Sequence, residues 1–107
     1  MTNSVSSEEL KAMLKKDPGA ATVLDVRRRN DFEADQHLIP GAQWKDPEQV
    51  ENWGKDLPRD KAVVVYCVRG GSVSQSVAAK LAENKVKVTY LEGGLAAWDQ
   101  SAEKPQS

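Results

Sequence analysis

The sequence is poor in the residues that build cross-links and transition-metal sites. Its 107 residues include one cysteine and one histidine. No disulfide can therefore form within the chain, and these two side chains cannot complete a Cys/His zinc site. An excess of positive charge is also missing, because 15 Lys and Arg residues stand against 16 Asp and Glu residues. Without a basic stripe interleaved with aromatic residues, the composition gives no support to nucleic-acid binding.

Long apolar runs and a leader-like start are absent as well. No stretch approaches the length of a membrane span, and the opening MTNSVSSEEL lacks the basic-then-apolar order of a signal peptide. We therefore expect a cytoplasmic protein with no membrane partner, in a compartment where a thiol stays reduced. The glycines lack nucleotide-binding spacing, and we expect no cofactor and no metal.

The remaining sequence alternates apolar strands with helices. Ser6 and Glu9 form a capping-box pattern that predicts the start of a first helix. The further helices are predicted at 30–34, at 46–57 with Asp46 as N-cap, at 72–84, and after the glycine pair at 93–94. Strands are predicted at 21–26, 42–44, 61–67 and 87–91.

Continuous rather than alternating hydrophobicity in the central strands predicts a parallel sheet that is covered on both faces. We therefore expect an α/β fold with a central parallel sheet of about five strands and helices on both sides. One domain over residues 1–107 is expected, with a core from about 5 to 98 and a frayed tail at 102–107. Ligands bind such sheets at the carboxyl ends of the strands, where Asp25 and Cys67 are predicted to lie.

The loop that begins at Cys67 contains groups that stabilise negative charge on sulfur. Thiols react as thiolates, which helix N-termini and cations favour. Gly70 and Gly71 let successive N–H groups point inward as an anion nest, Arg69 adds a positive charge, and Ser72 can cap the following helix. This pattern predicts a site for a thiolate, a persulfide or a bound oxyanion. The alternative, that Cys67 is only a small buried apolar residue, stays open.

Three segments, in the expected order, resemble the single-domain rhodanese family of sulfurtransferases. LDVRRRNDFEADQHLIPGA is similar to the family's Asp-Val-Arg and His-Ile-Pro-Gly-Ala segments. VVVYCVRGGSVSQSVAAKL resembles its strand, active-site loop and helix, and VTYLEGGLAAW resembles its closing Leu-x-Gly-Gly-x-x-x-Trp element. The resemblance runs from about Val5 to Trp98 and implies a rhodanese-like fold.

The resemblance also implies an activity. Cys67 would take a sulfane sulfur from a donor, hold it as a persulfide, and pass it to cyanide or to a thiol, including a thiol on another protein. Arg69 resembles the basic loop residues that favour thiosulfate over 3-mercaptopyruvate. Many members end the loop with Arg, where this chain has Ser72, so Arg69 is the only cation of the loop itself. The residues expected to cradle the substrate are Val68, Arg69, Gly70, Gly71 and Ser72.

Asp25 and Arg27 resemble the family's Asp-x-Arg pair and are expected to support the site. Asp25 either tunes the rim of the site or, as we favour, pairs with an arginine, because buried charges are normally paired. The resemblance implies a mainly structural role for His37. The triplet from Arg27 to Arg29 either steers anionic substrates or, as is more common for such runs, forms a solvated surface.

Two other classes of protein compete with a sulfurtransferase. Related phosphatases use Cys-x5-Arg, whose distal Arg clamps the oxyanion, and this chain has Val73 at that position. Phosphoryl transfer without the clamp would lose its main electrostatic support. The second alternative is a non-catalytic rhodanese-like module that binds a partner or senses redox state. Such modules usually lack the cysteine, which this chain keeps.

Overall fold

A parallel β-sheet forms the centre of the computed structural model, which describes residues 3–17, 19, 21–39, 41–57, 59–69 and 71–102. Within these residues the sheet has five strands in the order β1-β5-β4-β2-β3. All four neighbouring pairs are parallel, so the predicted α/β class with a parallel sheet is confirmed. The strands are β1 (Asn3–Val5), β2 (Ala21–Asp25), β3 (Gln43–Trp44), β4 (Ala62–Tyr66) and β5 (Val88–Leu91).

The helices connect the strands close to the predicted boundaries. They are α1 (Ser7–Lys16), α2 (Arg29–Ala34), α3 (Val50–Trp53), α4 (Ser72–Glu83) and α5 (Gly94–Ala102). The capping box at the start of α1 is present, since the Glu9 amide donates to Ser6 Oγ and the Ser6 amide donates to Glu9 Oε1. The segment predicted as a helix over 46–57 is helical over 47–56, but only its middle is an α-helix. There α3 is flanked by two 3-10 turns, Pro47–Gln49 and Gly54–Asp56, and Asp46 caps the first of them.

Two apolar clusters cover the two faces of the sheet. In β4, Val64 and Tyr66 belong to the first cluster and Val63 and Val65 to the second, because successive strand residues point to opposite faces. The first cluster contains residues of α1 and α5, and the second contains residues of α3 and α4. The sheet is therefore buried on both sides, which explains the unbroken apolar run in the sequence.

Strand β1 was not located by the sequence analysis. It pairs with β5, with Val5 opposite Leu91, and the Glu92 amide donates to the Val5 carbonyl at 2.8 Å. Three residues carry too little pattern to predict an edge strand. Among the described residues, no helix has the length and apolarity needed to cross a membrane.

The carboxyl ends of β2 and β4 lie side by side at one edge of the sheet. Asp25 is opposite Tyr66 in the register, so the chain leaves β4 at Cys67 close to the point where it leaves β2. The N-terminus of α5 closes this edge, because the Leu95 amide donates to the Cys67 carbonyl at 2.8 Å and the Ala96 amide donates to the Val68 carbonyl at 3.0 Å. The fold thus brings three chain segments around the cysteine.

Two glycines shape the start of α5. Gly93 and Gly94 have φ angles of 73° and 62°, in the region that glycine adopts without steric cost. A Cβ atom on Gly93 would lie 2.6 Å from the Cβ of Ala97. The prediction that this pair sets the start of the last helix is confirmed.

Candidate active site

Cys67 lies at the base of the candidate site, directly after β4. The residue is only 6% exposed, and its Sγ–H donates to Ser74 Oγ at 3.3 Å. Ser74 is fully buried and its hydroxyl donates to the Gly71 carbonyl at 3.4 Å. One hydroxyl therefore connects the sulfur atom to the backbone of the loop that passes over it.

Ser74 was missed as a site residue by the sequence analysis. The signal for it was present, because Ser74, Val77, Ala78 and Leu81 recur at the spacing of one helix face and are all buried. A hydroxyl in the first turn of that apolar stripe points inward toward the preceding strand end. A buried hydroxyl needs a hydrogen-bond partner, and here the nearest strand ends in a thiol.

A cleft of about 180 Å³ opens beside the sulfur. Arg28 and Arg69 line it from two different loops, and both residues are exposed. Neither guanidinium makes a hydrogen bond or an ion pair with any residue that the structure describes. The cleft therefore carries two guanidinium groups without an ion-pair partner among the described residues, and one carboxylate, Asp31, lines it as well. Its lining residues are Arg27, Arg28, Asp31, Cys67, Val68, Arg69, Gly71, Ser72 and Val73.

The predicted cradle residues meet at this cleft, with two differences from the expectation. Gly70 lies outside the described residues. Ser72 does not cap α4: Gly71 is the N-cap residue, no side chain caps the helix, and Ser72 is its first, exposed residue. The remaining predicted residues, Val68, Arg69 and Gly71, line the cleft together with Ser72.

The arginine triplet divides into three different environments. Arg27 is 2% exposed, Arg28 faces the cysteine cleft, and Arg29 pairs with Asp46 at 3.2 Å on the surface. Neither prediction, a steering patch or a solvated run, describes all three. Arg28 adds a second cation to the cleft, where the loop sequence alone offered only Arg69.

Asp25 and Arg27 form a buried ion pair that holds the neighbouring loop. Arg27 Nε donates to both carboxylate oxygens of Asp25, at 3.0 and 2.8 Å, and its NH2 group lies 2.6 Å from Oδ2. Nη1 donates to the carbonyl of Asp35 at 2.8 Å and Nη2 donates to the carbonyl of His37 at 3.0 Å. The structure thus agrees with the favoured alternative, in which Asp25 pairs with an arginine and the pair fixes backbone.

Tyr66 completes this buried layer beside the cysteine. It is fully buried, and its hydroxyl accepts the Ile39 amide at 3.2 Å. Burial raises the pKa of the Tyr66 hydroxyl, so the group stays neutral and offers no charge to the site. Two side chains therefore fix the segment that leads to Ile39. Tyr66 accepts the Ile39 amide, and Arg27 donates to the two carbonyls named above.

His37 lies at the surface between two carboxylates and does not line the Cys67 cleft. Its Nδ1 lies 2.6 Å from Asp35 Oδ1 and its Nε2 lies 3.0 Å from Asp99 Oδ2, so the protonated imidazole donates a hydrogen bond to each carboxylate. The hydrogen bonds that Asp35 and Asp99 accept, the one to Asp35 first, raise the pKa of His37, and the same contact with His37 lowers the pKa of Asp35. His37 therefore links the segment after α2 to α5, since Asp99 belongs to α5.

The structure thus places a cysteine at the carboxyl edge of a parallel sheet, beside a helix N-terminus and in a cleft with two exposed arginines. Comparison with known proteins gives the family. The chain belongs to the rhodanese-like domain family, whose sequence model matches residues 6–101.

Three relatives illustrate the similarity. A sulfurtransferase from Allochromatium vinosum is 31% identical over 98 residues, covering 92% of this chain and 89% of that protein. A tRNA sulfurtransferase from Desulfurococcus amylolyticus is 36% identical over 98 residues, but the chain spans only 18% of that protein's length. The crystal structure of a rhodanese-related protein from Thermoplasma volcanium has a TM-score of 0.76, with 24% identity and 92% of each chain covered. This last likeness concerns the fold alone.

Proposed function

We propose that the chain is a sulfurtransferase that moves a sulfane sulfur from thiosulfate to a thiol or to cyanide through a persulfide on Cys67. The observation that carries the proposal is the position of the Cys67 sulfur in a cleft lined by two unpaired guanidinium groups, Arg28 and Arg69. The family and the names of the two sequence relatives support the same class of reaction. We also propose that the chain forms one domain, because both helix layers pack on the same sheet.

The first half-reaction forms one S–S bond and breaks another. The Cys67 thiolate attacks the outer sulfur of thiosulfate, the bond between the two thiosulfate sulfurs breaks, and its electron pair leaves with sulfite. The donor is a dianion, so Arg28 and Arg69 attract it by charge. Two cations from separate loops compensate for the absence of an arginine at position 72.

The loop around the persulfide supplies its stabilisation. The terminal sulfur carries negative charge, and the amides of residues 68–72 are the donors proposed to face it. Ser74 adds a donor that can reorient. When the Cys67 thiol loses its proton, the Ser74 hydroxyl can turn from the Gly71 carbonyl toward the sulfur, and this hydrogen bond then favours the thiolate. In the second half-reaction a thiophile removes the outer sulfur and restores the thiolate.

Phosphoryl transfer is poorly supported by the same cleft. The position of the distal arginine in related phosphatases is taken by Val73, a half-buried residue of α4 that lines the cleft wall. The first turn of α4 holds only Ser72, Val73, Ser74 and Gln75, so no guanidinium extends from this helix start over a phosphoryl group. The cations at the cleft come from the loop and from the segment after β2 instead.

One observation favours the second candidate function, a non-catalytic rhodanese-like module. The Cys67 residue is 6% exposed, which is also what a small apolar core residue would show. A module of this kind would bind a partner over the cleft without forming a persulfide. The two functions therefore differ in one chemical event, the addition of a sulfur atom to Cys67.

The deciding experiment is intact-protein mass spectrometry after incubation with thiosulfate, followed by a pulse of cyanide. We expect the native protein to gain the mass of one sulfur atom and to lose it to cyanide with formation of thiocyanate. Cys67→Ala and Cys67→Ser serve as matched controls and should gain nothing, since neither side chain can form a persulfide. If no adduct forms with thiosulfate, 3-mercaptopyruvate or an organic persulfide, the sulfurtransferase proposal fails and the module remains.

A further inference from the structure

A second and larger cavity adjoins the cysteine cleft. It has a volume of about 440 Å³ and shares two lining residues, Arg28 and Val73, with the cleft. Its other lining residues are Pro47, Glu48, Ser76 and Val77. A water molecule takes about 30 Å³ in the liquid, so this cavity is much larger than a small inorganic anion needs. Thiosulfate and cyanide leave it unused.

Two charges of opposite sign line this cavity and remain unpaired. Arg28 and the Glu48 carboxylate form no ion pair with each other, and neither side chain bonds to another residue in the described part of the chain. Surface charges next to them do pair: Arg29 contacts Asp46 and Lys80 contacts Glu51, each at 3.2 Å. Arg28 and Glu48 thus place a cation and an anion in the lining of one cavity, without contact between them.

The chemistry of the lining matches an α-amino-acid headgroup. A guanidinium binds a carboxylate in a two-pronged arrangement, and the Glu48 carboxylate is suited to an ammonium group. Ser76 offers a hydroxyl, while Val73 and Pro47 offer apolar surface to a short carbon chain. Thiosulfate has neither an ammonium group nor carbon, so the sulfur donor of the proposed reaction does not account for Glu48 or for the apolar lining.

We propose that this cavity is the acceptor subsite and that it binds a thiol with an α-amino-acid headgroup, free or at the end of a short peptide. The inference rests on the proposed sulfurtransferase function. The acceptor thiolate attacks the outer sulfur of the Cys67 persulfide, and the S–S bond of that persulfide breaks. Its electron pair returns to the Cys67 sulfur, and the acceptor leaves as an organic persulfide. No further oxidant or reductant is required.

The kinetic test compares acceptors on persulfide-loaded protein, native and Glu48→Gln. Loading is first verified by mass, and the rate of sulfur loss is then measured with cysteine, homocysteine, γ-glutamylcysteine and 3-mercaptopropionate. Each thiol's own reactivity is the same with either protein, so the ratio of the two proteins' rates isolates the subsite. We expect the variant to lose about fivefold with the best amino-acid thiol, the upper range for an exposed ion pair, and to lose nothing with 3-mercaptopropionate, which has no ammonium group.

The matched control is Glu83→Gln, which removes the same charge at the far end of α4. We expect it to leave all four rate ratios unchanged. The inference is overturned if Glu48→Gln affects all four thiols equally, or affects none of them. It is also overturned if Glu83→Gln reproduces the selective loss, because the effect would then follow net charge alone.

A binding measurement separates this inference from the proposed function. S-methylcysteine keeps the amino-acid headgroup but cannot accept sulfur, and it can be titrated into unloaded protein while amide NMR shifts are recorded. We expect shifts at Val73, Ser76 and Val77 that weaken in Glu48→Gln. If loading fails but these shifts appear, the cavity stands as a binding site for the headgroup, and its role as an acceptor subsite falls with the sulfurtransferase proposal. Shifts that are absent, or scattered over the surface, reject the subsite whether or not the protein loads.

Discussion

The carboxyl ends of β2 and β4 differ in whether their charged side chains are buried and paired or exposed and unpaired. At the end of β2, Asp25 and Arg27 are 0% and 2% exposed, and the guanidinium is satisfied by a carboxylate and two carbonyls. At the end of β4, the cleft above Cys67 is lined by Arg28 and Arg69, which are exposed and unpaired among the described residues. The two regions are adjacent in the sheet, and Arg27 and Arg28 are adjacent in the chain.

The difference separates charge that stabilises the fold from charge that is available to a ligand. Removing one partner of a buried pair leaves an unpaired buried charge, which is strongly destabilising. An exposed unpaired arginine contributes little to stability, because water solvates it in both states. The comparison therefore predicts that stability and activity respond to different residues at this edge of the sheet.

The largest effect on stability is expected from Asp25→Asn, which keeps the size of the side chain and removes its charge. The buried Arg27 would lose its counter-ion, and the free energy of unfolding should fall by about 3–5 kcal/mol, measured by urea denaturation. Asp31→Asn, an exposed carboxylate in the next turn, is the control and should change it by less than about 0.5 kcal/mol. Equal effects of the two substitutions would remove the distinction between the two strand ends.

Arg28→Gln and Arg69→Gln are expected to change activity rather than stability. Each should raise the KM for thiosulfate about tenfold, equivalent to about 1.4 kcal/mol, with a smaller change in kcat and no measurable loss of stability. Steady-state thiocyanate formation gives both constants, and Arg29→Gln, already paired with Asp46, is the control of equal charge. A fall in kcat at unchanged KM would assign these cations to the transition state rather than to donor binding.

Ser74→Ala tests the one hydroxyl that connects Cys67 to its loop. We expect a loss of about 1 kcal/mol in the free energy of unfolding, typical of one buried hydrogen bond, together with slower persulfide formation in single-turnover mass measurements. Ser72→Ala is the matched control for stability, because that hydroxyl is exposed and does not cap α4. A larger effect on stability at position 72 than at position 74 would contradict the hydrogen bonds that Ser74 makes with Cys67 and Gly71.

The smallest effect is expected from His37, which gives stability a pH dependence. Its pKa in the folded protein is raised above 6.5 by Asp35 and Asp99, so its contribution is complete below pH 6.5 and is lost as pH rises through the raised pKa. At acidic pH the lowered pKa of Asp35 has a second effect. Stability is lost as the pH falls below 3.8, the ordinary pKa of an aspartate, and through the lowered value. Unfolding free energies from pH 6 to 9 should decline more in the native protein than in His37→Gln. Parallel curves would show that the histidine carries no such contribution.

Most of the fold followed from the sequence because its signals are local. The capping box at Ser6, the apolar run of β4 and the glycine pair before α5 each fix a short segment without distant information. Strand β1 has no such signal, because its pairing with β5 joins the two ends of the described chain. The close approach of Gly54 to α4 also depends on packing, since a Cβ atom at this position would lie 2.9 Å from Leu81 Cδ2.

The site was only partly predictable for a similar reason. Cys67 and the glycine-containing loop after it are consecutive in the chain, so the sequence alone could predict that they form one site. The different environments of Arg27, Arg28 and Arg29 depend on how the chain turns after β2, and no pattern within the triplet predicts that turn. The link between Cys67 and Ser74 requires both the loop length and the helix face, although the helical spacing of Ser74 could have suggested it.

Two hydrogen bonds from α5 determine the orientation of the peptide planes in the loop after Cys67. A trans peptide unit points its C=O and its N–H in opposite directions. Tying the carbonyl of Cys67 to Leu95 therefore turns the Val68 amide away from α5, and tying the carbonyl of Val68 to Ala96 does the same for the Arg69 amide. These two peptide planes are thus oriented before any ligand arrives. We therefore expect a substitution at Gly93, where a Cβ atom would lie 2.6 Å from the Cβ of Ala97, to displace the start of α5 and let these planes rotate.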